Sequence, residues 1–587
     1  MIGLGEEKLL NSAKAEAEAD KVNTEIISML EGGKSFRVES GAGSGKTTSL
    51  IKVVDWIKDH KAADLKRKHQ QAICITYTNA AVDVIDSRLD DKEAIAVSTI
   101  HSFVWSAIKP FQHRIRAIIQ EGDIIANGEI DFNEIKSVEY TEGHRFVENG
   151  TLYLFHNDVL TLFCDLLNEE KFRRTFADSY PIILIDEYQD SYKPIIDQFL
   201  NYFIEADCGP QFGFFGDAWQ TIYQTNKACG AIEHAALAVI QKSSNFRSAP
   251  RIVQLLNQIR PEYKQISAID GYEGEVLAII NNDYSGKRQQ KGSFKDDLPT
   301  EEFNRRLEEF CACFRETVPG NESLKTLMLT HRILANHQGY GDLLAVLGDG
   351  LKNKDDPILC FFMDVVEPIH GALKNSSMSQ LSETLKTKRC LITSKSDKSR
   401  WLCLSSALAK AREASAAEVL KTLELYSDLV PLPPKVREHF HEYMQCPTLE
   451  YNENVTIGQL LDIEYSQFIN AIEFCQPESL FSTEHGVKGE EYDNVIFVIS
   501  KGWNLYQFEK YAPMILEGEP SDPKKRSSYE RNRNLFYVCC SRPRKRLVFF
   551  VTVPVEAAFR LFLQDLAGDE NVLTLDEYLE RQHEYAQ

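Results

Sequence analysis

The chain has 587 residues, 43% of them hydrophobic and 26% charged, enough apolar surface for several packed cores and too much for a disordered polymer. Its 66 basic and 87 acidic residues leave a formal charge of −21, which excludes a protein that coats nucleic acid by bulk charge, so any such contact has to be local. Thirteen cysteines form no paired framework and Cys311-Ala-Cys313 lacks a second pair to close a metal site, so they read as buried free thiols.

The opening stretch MIGLGEEKLLNSAKAEAEAD carries acidic residues and no apolar core of an export signal. No later run is long enough to span a bilayer, so a cytoplasmic protein without membrane contact is expected. SFRVES then reads as a strand, and Ser40-Gly-Ala-Gly-Ser-Gly-Lys-Thr47 as the loop between it and the amphipathic helix TSLIKVVDWIKDH. Phosphates need closely approaching backbone N–H groups, which Gly41, Gly43 and Gly45 permit around Ser44, and the helix amino terminus adds its positive dipole end. Lys46 is expected to reach the β and γ phosphates of ATP, and the Thr47 hydroxyl to ligate Mg²⁺.

QAICITYT reads as a further strand, after which the pattern turns mostly helical from about 105 to 178. The sheet rhythm resumes at IILIDEYQD, which places Asp186 at the end of a buried strand to hold Mg²⁺ and Glu187 beside it to orient the attacking water. QFGFFGD follows as a strand, and a second, mostly helical interruption runs from about 350 to 475 before NVIFVIS and RLVFFVTV restore the strand pattern. Short strands alternating with helices imply an α/β fold with parallel sheets.

Asp186-Glu-Tyr-Gln-Asp190 resembles the Walker B motif of the UvrD/Rep-like superfamily 1A helicases, and further motifs of that family occur in order. Thr76-Tyr-Thr-Asn79, Ser98-Thr-Ile-His101, Gly216-Asp-Ala-Trp-Gln220-Thr-Ile-Tyr223, Asn245-Phe246-Arg247, Thr483-Glu-His485-Gly-Val-Lys-Gly-Glu-Glu491 and Leu535-Phe-Tyr-Val-Cys-Cys-Ser-Arg542 resemble motifs Ia, Ib, III, IV, V and VI. The resemblance implies two RecA-like P-loop domains with parallel sheets, each interrupted by a mostly helical inserted subdomain. The expected bounds are 1–104 and 179–255 for the first, around an insertion at 105–178, and 256–350 and 476–587 for the second, around 351–475. It also implies roles. Lys46, Asp186, Glu187, Gln220, Arg247 and Arg542 carry hydrolysis, Thr48, Phe246 and Glu491 join the loop in holding nucleotide, and Thr76, Asn79, His101, Tyr223, Thr483 and His485 line a single-stranded DNA track.

The pattern departs from the family at several points: no glutamine precedes the phosphate loop, where Asn23 and Glu25 stand, Thr48 replaces an arginine, Ala80 a lysine, and Gln-Thr225-Asn226 follows Tyr223. These changes touch base selection and DNA grip more than ATP chemistry. Basic clusters at 66–68, 386–389 and 524–526 read equally as phosphate contacts or solvated loops. Reduced length and the Gly-Lys-Thr-Thr and Asn-Phe-Arg motifs resemble the helicase-like subunit of Gabija anti-phage systems, which implies an OLD-type ATPase-nuclease partner. The expected activity is 3′ to 5′ translocation on DNA in repair or defence. The alternatives are a DNA-sensing regulatory ATPase subunit that activates a partner nuclease and, further off, an unrelated P-loop kinase, with RNA left open as a track.

Overall fold

The structure, a computed structural model, describes residues 2–76, 79–86, 93–121, 135–141, 145–222, 227–329, 331–348, 350–351, 354, 356–385, 392–452, 455–476, 479–483, 487–501 and 505–586. Two six-stranded parallel sheets organise them. The first contains β1 (Phe36–Ser40), β2 (Ala72–Thr76), β3 (Ile95–Thr99), β7 (Ile182–Asp186), β8 (Gln211–Gly216) and β9 (Ala238–Lys242), in the order β3-β2-β7-β8-β1-β9. The strands β2 and β7 are buried at every position, as the continuous apolar runs AICIT and IILID require of a parallel sheet covered on both faces. Alternation along β7 sends Ile183 and Ile185 into one core and Ile182 and Leu184 into another, so helices pack on both sides.

The second sheet contains β12 (Glu275–Ile280), β13 (Leu324–Met328), β16 (Phe481–Thr483), β17 (Tyr492–Ile499), β18 (Pro543–Val551) and β19 (Val572–Thr574), in the order β16-β13-β17-β18-β12-β19. These are the two RecA-like sheets of an α/β fold. Two small strands, β10 (Ser244–Asn245) and β11 (Ile266–Ser267), pair beside the phosphate loop.

Between β3 and β7 the described residues form helices and a three-stranded sheet of β4 (Ser137–Tyr140), β5 (Phe146–Glu148) and β6 (Thr151–Leu154), which the sequence pattern does not announce. Between β13 and β16 the described residues form helices and the antiparallel pair β14 (Glu450–Asn452) and β15 (Val455–Thr456), and they close their own core around Leu359, Phe362, Leu420 and Phe468. The cysteines are not all buried as expected: Cys208, Cys403 and Cys446 are exposed, because they sit on helical and loop surfaces away from the cores. No helix among the described residues is long and apolar enough to cross a membrane.

Candidate functional site: a phosphate-loop cleft between the two sheets

The loop after β1 is shaped by glycines that other residues could not replace. Gly43 and Gly45 have φ of 71° and 74°, in the left-handed region that costs an L-residue energy. A Cβ on Gly43 would stand 2.7 Å from Arg247 Cβ and 2.8 Å from Asn245 Oδ1, so the loop and the Asn245-Phe246-Arg247 segment are packed backbone to side chain. That segment also grips the loop by hydrogen bonds: the Phe246 amide donates to Gly43 O at 2.8 Å, and Asn245 Nδ2 to Ala42 O at 3.0 Å. From the other side the Gly41 amide donates to the Tyr263 hydroxyl at 3.0 Å and the Ala42 amide to the Tyr537 hydroxyl at 3.4 Å. The second of these donors reaches a helix of the second sheet, so the loop is braced by both halves of the molecule.

A cleft of about 530 Å³ opens above the loop, lined by 40–47, Asp186, Glu187, Asp190, Gln220, Arg247, 488–490 and Arg542. All six residues expected to carry hydrolysis therefore face one space. A larger hollow of about 700 Å³ lies at the amino ends of the first sheet's strands, where Lys68 lines it, away from every motif. The chemistry belongs to the smaller cleft, because crevices at the carboxyl ends of parallel strands collect loop ends and helix amino termini.

Within the cleft, Lys46 Nζ lies 2.6 Å from Glu187 Oε1 and 3.8 Å from Asp186 Oδ1. Burial alone would discharge Lys46, but Glu187 and Asp186 outweigh it and hold the ammonium above its ordinary value. Burial pushes the Asp186 carboxyl up to about 6, with Lys46 opposing. Burial also opposes the charge on Glu187, yet Lys46 and Lys488 prevail and hold it down to about 2. Glu187 itself has φ 49°, a conformation that brings its carboxylate back over the loop lysine. Ser44 Oγ is buried without a hydrogen-bond partner among the described residues.

The second sheet contributes the opposite wall. Arg542 is 1% exposed, and its guanidinium donates to Gln220 Oε1 at 3.2 Å, Ser541 Oγ at 2.8 Å, and the carbonyls of Val538 at 2.9 Å and Glu490 at 3.1 Å. Burial, and the neighbouring Arg247 charge, hold it below the ordinary arginine value. No carboxylate among the described residues forms an ion pair with it, whereas Arg247 Nε donates to Glu491 Oε2 at 2.8 Å. Glu491 is also paired with Arg544. Lys488 Nζ donates to Asp190 and, at 2.5 Å, to Gln220 O, tying the two halves at the cleft floor.

Phe246 is 39% exposed, and a Cβ on Gly45 would lie 3.5 Å from its ring, so an open aromatic face borders the loop. Thr47 and Thr48 are exposed at the start of the following helix. Asn23, where the family has its glutamine motif, is 8% exposed and accepts from Ser49 Oγ at 2.7 Å, while Glu25 faces solvent.

The residues expected along a DNA track are less gathered. Thr76 ends β2 at 1% exposure, and its register partner Thr99 caps the helix that begins at Ile100 and carries His101. His101 packs its ring 4.6 Å from that of His156, and burial followed by the His156 charge pushes it down to about 4. Asn79 opens the helix Asn79–Asp86. Thr483, 7% exposed, ends β16 on the edge of the other sheet. Tyr223 and His485 lie outside the described residues, as does the basic cluster at 386–389. The clusters at 66–68 and 524–526 are exposed, with Arg67 paired to Asp64 and Arg526 to Glu519 and Glu530.

Sequence reasoning gave no role to Glu39, Asp217, Arg260, Tyr263, Gln265, Asn245 and Lys488, although Asp217, Asn245 and Lys488 stand inside motifs III, IV and V; Lys488 lines the cleft and the others brace it from behind its lining. For Glu39 the signal was a carboxylate within a short strand, whereas Arg260, Tyr263 and Gln265 carried none.

Residues 23–226 match the family described as AAA domain. The chain is 24% identical to Gabija protein GajB of Bacillus cereus (strain HuB5-5) over 92% of its own length and 96% of that protein. A second GajB, from Bacillus cereus (strain VD045), is 25% identical over 43% of this chain and 52% of its own. The mitochondrial ATP-dependent DNA helicase HMI1 of Saccharomyces cerevisiae is 25% identical over 47% of this chain and 45% of its own. The fold, the loop and these likenesses support a P-loop ATPase/helicase.

Proposed function

We propose that this helicase-type ATPase is an ATP-dependent DNA translocase or helicase of the superfamily 1A kind, moving 3′ to 5′ on single-stranded DNA. The observation that carries the proposal is the buried Arg542, paired with no carboxylate among the described residues and directed from the second sheet toward Gln220 across a phosphate-loop cleft. A buried guanidinium is costly unless an anion meets it. A nucleotide γ-phosphate, which gathers charge as it leaves, is the anion this geometry suits.

The residues divide the work. The loop amides and Ser44 Oγ receive phosphate oxygens, which would satisfy the orphaned hydroxyl. Incoming phosphates draw Lys46 off Glu187, leaving that carboxylate free to accept a hydrogen bond from the attacking water. Gln220, held by Asp217 at 2.8 Å, orients toward the transferred group, and Arg247 leaves Glu491 to join Arg542 against the developing charge. Thr47 and Asp186 both line the cleft and form an oxygen donor set that fits Mg²⁺, which supplies neutralisation of the phosphates when bound. Phe246 offers its face to the base. Because Arg542 and Lys488 belong to the half of the molecule built on the second sheet, hydrolysis is coupled to closure of the cleft, and closure moves the strand-end residues Thr76 and Thr483 and the helical His101 along DNA.

The likeness to GajB over nearly the whole chain supports a role in anti-phage defence with an OLD-type ATPase-nuclease partner in the cytoplasm. A regulatory reading, in which DNA-dependent hydrolysis activates that partner without processive unwinding, is favoured by one observation: Thr76 and Thr483 are enclosed by protein. The test is ATP hydrolysis by the purified chain with and without single-stranded DNA or RNA, beside Lys46→Ala, followed by unwinding of substrates with either overhang. DNA stimulation lost in Lys46→Ala, with unwinding from a 3′ overhang, is expected. Stimulation without unwinding moves the conclusion to the regulatory reading, and no hydrolysis under any condition defeats both.

A further inference from the structure

Beneath the cleft lies a buried ionic hub that joins Asp217 of motif III to Glu39 and Arg260, which stand outside the motifs. The Arg260 guanidinium, its side chain 7% exposed, donates from Nη2 to Glu39 Oε1 at 3.0 Å and from Nη1 to Asp217 Oδ1 at 2.9 Å. The planar guanidinium bridges the two carboxylates from separate nitrogens, in a fixed geometry that a lysine ammonium does not reproduce. Each carboxylate in turn holds the turn after β8: the Ala218 amide donates to Glu39 Oε1 at 3.4 Å, and the Trp219 amide to Asp217 Oδ1 at 3.1 Å. Asp217 Oδ2 accepts from Gln220 Nε2 at 2.8 Å, and that contact decides which end of the amide is left to face Arg542. The orientation of Gln220 thus depends on a residue that does not line the cleft.

The same hub touches the second sheet through an indole. Trp219 has the Arg260 guanidinium 5.1 Å from its ring centroid and the Arg533 guanidinium 4.0 Å away, with Tyr537 edge-on at 5.6 Å. Arg533 and Tyr537 stand one turn apart on the helix Pro523–Cys540, which runs into Arg542. Cation–π contacts of this kind are sensitive to distance, so a shift of the helix alters the stack before it alters any covalent link.

We propose that Arg260 is a positioning residue that keeps Gln220 in register with Arg542, and that Trp219 relays movement of the helix Pro523–Cys540 to it, so that the second domain's position sets the state of the nucleotide sensor. The inference rests on the ATPase reading above, and its test separates the two. The full chain and its Trp219→Phe, Arg533→Gln and Arg260→Lys variants are titrated with a non-hydrolysable ATP analogue and Mg²⁺ while tryptophan emission is read, and steady-state ATP hydrolysis is measured in parallel. The expected result is an emission change in the parent that disappears in Trp219→Phe and falls at least about twofold in Arg533→Gln. Arg260→Lys is expected to bind the analogue within about threefold of the parent and to lose about tenfold or more in kcat, a split that general unfolding would not produce. An emission change that survives Trp219→Phe, a parental response in Arg533→Gln, or a parental kcat in Arg260→Lys overturns the relay. If Arg260→Lys does not fold, the first two variants decide alone. A parent that shows the Trp219 response but hydrolyses no ATP defeats the motor and leaves the relay, whereas hydrolysis without any response does the reverse.

Discussion

Arg542 Nη2 donates to Gln220 Oε1 at 3.2 Å, joining the end of a second-sheet helix to the turn after β8 over a sequence separation of 322 residues. The contact sets the two halves of the cleft in register. If Arg542 acts on the leaving γ-phosphate, Arg542→Ala lowers kcat by about 10³-fold or more while the equilibrium affinity for ATP changes little. Single-turnover hydrolysis beside a binding titration checks this. Parallel loss of affinity and rate would make it a binding group.

Gly43 separates strain from collision. Gly43→Ala forces an L-residue to φ 71° and drives its Cβ to 2.7 Å from Arg247, so nucleotide affinity should fall more than about tenfold and stability by about 1–3 kcal/mol. Gly33→Ala is the control. Its φ is 66° but nothing lies within 4 Å of the added Cβ, so it should show the strain, about 1 kcal/mol in denaturant unfolding, and keep nucleotide affinity.

Phe246 presents the aromatic face that the base is proposed to meet. Removing it as Phe246→Ala should raise the KM for ATP by about tenfold, the upper end of one stacking contact, with kcat within about threefold. An unchanged KM would place the base elsewhere.

The His101 imidazole is pushed down to about 4, first by burial and then by His156, from an ordinary value of 6.5. A depressed value means that the unfolded chain takes up the proton first. The stabilising contribution is complete above about 6.5 and is lost as pH falls toward 4. The expected outcome is that His101→Phe loses less stability than the parent between pH 6.5 and pH 4 in denaturant melts. Identical slopes would show that His101 titrates normally.

The sequence by itself determined the local chemistry. Glycines at fixed spacing before Lys46, and four apolar residues before Asp186-Glu187, prescribe a phosphate loop and a strand-end acid pair, because backbone conformation and burial of a short run are decided within a few residues. Strand and helix alternation likewise announced parallel α/β sheets, although the small sheet at 137–154 escaped, since its three short strands sit in a stretch whose apolar spacing is mostly helical. The pairings between distant charges were decided only by the tertiary structure. Nothing local to Glu39 or Lys488 names Arg260, 221 residues away, or Asp190, 298 away, as its partner. What makes them partners is burial in a low-dielectric cleft between two sheets, where an unpaired charge is costly and only a neighbour supplied by the fold can offset it.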